Sequence, residues 1–112
     1  MQINIREGDT HVIVVLVKDQ DGNALALDGI ASAEQTMVIK QEASDANPLF
    51  TLTGEYPNGG ADGVVTFSIA VDTWTTYPVF NQGTFVYGII ITTDGTDRFT
   101  VALDSLEVQQ GI

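Results

Sequence analysis

The chain has 112 residues, the length of one ordinary domain whose core folds without staples. It contains no cysteine, which excludes disulfides, thiolate zinc sites and cysteine nucleophiles. Four basic against 15 acidic residues leave a formal net charge of -11, a field that repels phosphate backbones and anionic membrane surfaces, so nucleic acid and membrane are not expected partners.

The opening "MQINIREGDT" carries charges early and no apolar segment of signal-peptide length, so synthesis in the cytoplasm is expected. The next stretch, "HVIVVLVKD", is apolar on both faces of a strand. It fits either a central strand covered on each side or a strand whose second face meets a partner. "KDQDGNALALDG" follows, with the aspartate and glycine density of a calcium loop. If Gly22 takes the loop's glycine position, the first ligand falls on Val17, which has no side-chain oxygen, and the last falls on Asp28 rather than a glutamate. The stretch therefore reads as a turn with Gly22 or Asn23 at positive φ, and no metal is expected.

In "EQTMVIKQ", Met37 and Ile39 alternate with Thr36, Val38 and Lys40, the pattern of a half-buried strand. The glycines of "PNGGADG" lack the lysine and strand-loop-helix setting of a phosphate loop and read as turn residues. In "VVTFSIAV", Val65, Phe67, Ile69 and Val71 share one face. In "DTWTTYPVFNQG", Asp72 is placed to cap one helical turn through its side chain, and Pro78 to end it.

"TFVYGIIITT" is again apolar on both faces, and "TDGTD" is a turn. The closing "RFTVALDSLEV" changes phase between Phe99, Val101, Leu103 and Leu106, Val108, which predicts a β-bulge or a break near Asp104 and Ser105. Period-two patterning with glycine-rich turns predicts an all-β, immunoglobulin-like antiparallel β-sandwich of about seven to eight strands, forming a single domain over residues 1–112.

The chemistry-bearing residues point away from catalysis. His11, the one histidine, heads a strand with no GxSxG elbow elsewhere in the chain, and it reads as a strand-end residue. No catalytic residue and no cofactor are expected. Trp74, Tyr77 and Tyr56 lie in loops, where exposed aromatics form sugar platforms and buried ones plug a core. The two-faced strands, His11 to Lys18 and Thr84 to Thr93, carry the most interface potential, and Val12, Val14, Leu16, Val86 and Ile90 are the candidate contact residues.

The succession "GDTHVIVVLVKDQDGNALALDGI", "AEQTMVIKQ", "GVVTFSIAVDT" and "GTFVYGIIITTDGTDRFTVALDSLEVQQG" resembles the immunoglobulin-like domain at the N-terminus of upper baseplate proteins of tailed bacteriophages. The resemblance rests on Asp21 and Gly22, the apolar run Leu25 to Gly29, Asp72 and Thr73, Gly83 to Tyr87, and Leu106 to Gly111, and it spans nearly the whole chain. It implies a non-enzymatic structural component of a phage particle, in tail, baseplate or neck. Other virion proteins are then the partners, and a homo-oligomer or symmetric array the expected assembly. A capsid decoration protein is the alternative within that class, and a carbohydrate-binding or host-surface-binding module the alternative outside it.

Overall fold

The computed structural model describes residues 2–93 and 98–109, so most of "TDGTD" and the closing glycine of the resemblance, at position 111, lie outside the described residues. Seven strands form two sheets: β1 (Ile3–Arg6), β2 (His11–Leu16), β3 (Thr36–Lys40), β4 (Phe50–Thr53), β5 (Val64–Ile69), β6 (Gly83–Thr92) and β7 (Arg98–Gln109). One sheet runs β1-β7-β6-β3-β4 and the other is the pair β2-β5. The chain crosses between sheets at β1 to β2, β2 to β3, β4 to β5 and β5 to β6, the connectivity of an immunoglobulin-like β-sandwich. Pairing is antiparallel except that β1 runs parallel to β7.

Alternation decides which side chains enter the core. Met37 and Ile39 of β3, and Phe85, Tyr87, Ile89 and Ile91 of β6, face Val65, Phe67 and Ile69 of β5 and Ile13 of β2 in one buried cluster. Val71, assigned by its phase to the same face as Ile69, lies beyond the end of β5 and is exposed. Strands β1 and β4 are additions to the sequence reading. At four residues each, their alternation is too short to stand out in the sequence, and pairing with β7 and β3 is what fixes them.

The bulge in β7 falls earlier than the phase argument placed it. Ile89 pairs with Ala102 and Ile90 with Thr100, so Val101 is the extra residue, while Asp104 and Ser105 pair regularly with Tyr87 and Val86. Beyond the bulge Leu106 and Val108 carry the inward phase, which turns Leu103 outward and leaves it 75% exposed.

A helical turn, α1 (Thr73–Thr76), follows β5, with Asp72 at its N-cap position. The carboxylate makes no cap bond. Instead the Asp72 carbonyl accepts from the N–H groups of Thr75 and Thr76 and from the Thr75 hydroxyl. Buried Phe80, just beyond, packs edge-on to Phe50 and Phe85 and closes that end of the sandwich.

Candidate interaction surfaces

The loop after β2 is a backbone-bonded turn. Asp19 Oδ1 accepts from the N–H groups of Asp21 and Asn23 at 2.9 and 3.0 Å, and Gly22 holds φ at 85°, as the turn reading requires. No group of three or more potential metal ligands occurs among the described residues. His11 is committed locally: its Nε2 accepts the Arg6 N–H at 3.1 Å and braces the crossover from β1 to β2. In "PNGGADG", Gly59, Gly60 and Gly63 all have positive φ. Within that loop Asp62 accepts from the Asn58 side chain and the Val64 N–H, two bonds that hold its carboxyl below the usual range.

The three loop aromatics are half-buried and engaged with the core. Trp74 stacks on Phe80 with ring centroids 5.0 Å apart and donates its indole N–H to the Asp9 carbonyl, while Tyr77 stacks on Phe50 at 4.7 Å. The Tyr56 hydroxyl accepts from Gln35 Nε2 at 2.9 Å. They are spent on core residues, Trp74 on Phe80, Tyr77 on Phe50 and Tyr56 on Gln35, rather than gathered into a flat outward platform.

The five candidate contact residues divide between opposite outer faces. Val12, Val14 and Leu16 point outward from β2 and are 62%, 61% and 51% exposed. Val86 and Ile90 point outward from β6, on the far side of the sandwich, and are half-buried.

The β2 face is unusual in its backbone as well. Val17 N–H bonds the Gly63 carbonyl directly opposite it, so alternation places Val15, Ile13 and His11 in bonded pairs with β5 and leaves Val12, Val14 and Leu16 in the unbonded pairs between them. Thr66, opposite Val14, confirms the phase, because its N–H and C=O both bond Glu55 on the far side of β5. The N–H and C=O groups of Val12, Val14 and Leu16 therefore point to the open edge, and among the described residues no strand lies there. The same three residues thus present both apolar side chains and free backbone.

On the opposite face, Gly88 stands between Val38 of β3 and Leu103 of β7 in a cross-strand row, with Val86 and Ile90 two residues away along β6. A missing side chain at the centre of four apolar ones leaves a shallow depression of about 400 Å³, with Lys40, Ala43 and Thr100 also on its walls. Val38, Gly88 and Leu103 were missed by the sequence reading. The signal was a glycine inside an apolar strand, which marks a close approach or a gap.

Charge also separates the two faces. Of the chain's four basic residues, Arg6, Lys40 and Arg98 lie on the outward side of the five-stranded sheet, where Glu107 is the acidic strand residue among those described and Glu42 and Asp45 follow in the adjoining loop. The ends of β2 are acidic. Glu7, Asp9 and Asp72 lie toward its start, and Asp19, Asp21 and Asp62 toward its end, against Lys18. Compared with protein-family models and with curated proteins, the chain matches none.

Proposed function

We propose that the protein is a non-enzymatic structural component of a tailed-bacteriophage particle, in tail, baseplate or neck, and works as a docking module between other virion proteins. The observation that carries the docking role is the open edge of β2, where Val12, Val14 and Leu16 keep more than half their surface in water beside backbone groups that no strand among the described residues takes up. Edge strands of soluble proteins are ordinarily blunted by charge, proline or cover, so an apolar, uncovered one is an interface feature. The phage assignment rests on the resemblance in motif order to baseplate immunoglobulin-like domains.

The second apolar surface, around Gly88, lies on the other outer face, so one subunit can contact two neighbours at once. That is the geometry a bridging subunit or a capsid decoration protein needs. The sugar-binding alternative draws less support, since Trp74 and Tyr77 are stacked on Phe80 and Phe50. The reading is tested by light scattering of the protein alone and mixed with intact or tail-less particles of a candidate phage, at low and high salt. Saturable binding to one particle type, weakened by salt, supports it. A monomer that binds neither particle removes it.

A further inference from the structure

We infer that the open edge of β2 accepts an added β-strand from another protein, and that the incoming segment alternates apolar residues and carries lysine or arginine at both ends. The inference gives chemistry to the docking partner proposed above, but it stands on the β2 edge itself and not on the phage assignment.

Three observations converge on it. Val12, Val14 and Leu16 each offer one N–H and one C=O along an edge with no neighbouring strand among the described residues, the hydrogen-bonding requirement for strand addition. Their side chains form an exposed apolar stripe, so the added strand gains cross-strand apolar contacts on its outer side. On the inward side Val15 is half-buried while packing against the core, so an added strand completes its cover.

Charge selects among occupants. A second copy of the chain, pairing its own β2 antiparallel to the first, sets the Asp9 end of one copy against the Asp19 and Asp21 end of the other. With six carboxylates and Lys18 distributed over the two ends, that arrangement is repulsive at both. A segment flanked by basic residues turns the same two ends into attractive ones.

The test uses the whole protein and a short synthetic peptide alternating threonine and valine, with lysines at both ends. Amide hydrogen exchange read by NMR is expected to slow at Val12, Val14 and Leu16 when the peptide binds, and to stay unchanged at Ile13 and Val15, whose N–H groups already bond β5. Replacing the terminal lysines by glutamates is expected to weaken binding by roughly tenfold or more at low salt. In Val14→Pro the removed N–H is one that β5 does not use, so binding is lost while the melting midpoint is kept. Val14→Lys keeps the backbone donor but sets a charged side chain in the middle of the apolar stripe, the device by which natural edge strands block pairing, and it is the second variant should the proline disturb the strand. Absence of binding, protection at other amides, or unchanged binding by folded Val14→Lys overturns the inference.

Discussion

Val14 stands opposite Thr66 in the β2–β5 ladder, and Thr66 directs its N–H and its C=O to Glu55, at 2.9 Å each, rather than to Val14. One side of the pair is thereby satisfied and the other left facing outward. The backbone that Val14 exposes sits beside the apolar side chain that Val14 exposes, and this coincidence separates a docking edge from an ordinary half-wet strand.

Because these side chains contribute little to the core, the fold should not depend on them. Replacing Val12, Val14 and Leu16 one at a time by threonine is expected to change stability by no more than about 0.5 kcal/mol each, read from urea unfolding midpoints. Leu103→Thr is expected to behave likewise, being exposed on the other face. A large loss from any of the four would show that the residue is a packing element.

Gln35 should behave in the opposite way. It is fully buried, accepts the Thr92 N–H at Oε1, and donates from Nε2 to the Thr92 carbonyl and the Tyr56 hydroxyl, which extends the β3–β6 ladder with a side chain. Gln35→Leu leaves the Thr92 N–H and C=O buried without these partners and is expected to cost about 2–3 kcal/mol in urea unfolding. Tyr56→Phe removes one of the bonds and is expected to cost about 1 kcal/mol.

Two glycines with positive φ provide a matched pair. At Gly22, φ 85°, an added Cβ meets open space, so Gly22→Ala pays for conformation alone, about 1–2 kcal/mol. At Gly63, φ 74°, the same atom would lie 2.6 Å from the Val17 carbonyl oxygen and 2.8 Å from that of Leu25. Gly63→Ala is therefore expected to exceed Gly22→Ala by at least about 1 kcal/mol in the same denaturant series, because two backbone segments must move.

The ring cluster at the end of the sandwich predicts a graded response. Phe80 is buried and touches the rings of Trp74, Phe50 and Phe85, so Phe80→Ala is expected to cost about 3–5 kcal/mol and to shift Trp74 fluorescence toward that of a solvated indole. Val71→Ser, on an exposed position beyond β5, is expected to stay within about 0.5 kcal/mol.

Alkaline titration gives a further check. Burial, followed by the nearby Asp104 carboxylate, raises the Tyr87 phenol above its ordinary pKa of 10.0. Below that value the phenol is neutral in folded and unfolded chains and contributes no pH slope. Above it the unfolded chain ionises first, so stability falls as pH rises toward the folded pKa. In Tyr87→Phe this part of the alkaline slope is expected to disappear, measured as the difference in unfolding midpoint just below and about one unit above the ordinary value. An unchanged slope would place the alkaline loss on other groups.

Much of the fold was legible where local pattern and tertiary demand agree. Met37 with Ile39, and Val65 with Phe67 and Ile69, turn inward as their alternation requires, and Gly22 takes the positive φ its turn needs. The two-faced strands were legible as such but not distinguishable from one another. Central β6 has both its neighbours and β2 is an edge strand, and that difference is set by long-range pairing that no local pattern encodes. The β7 bulge shows the same limit. A phase change constrains the count of residues between Phe99 and Leu106, while the register with Ile89 and Ile90 decides that the extra one is Val101. Gln35 gave no warning, since a glutamine before a strand carries no pattern that separates a buried clamp from a wet end.

The most direct test of the docking role is co-sedimentation of the labelled protein with purified particles of a candidate phage at low salt, comparing the natural chain with Val14→Lys. Saturable binding by the natural chain is expected, with its loss in a variant that melts at the same temperature. Equal binding by both, or by neither, would contradict it.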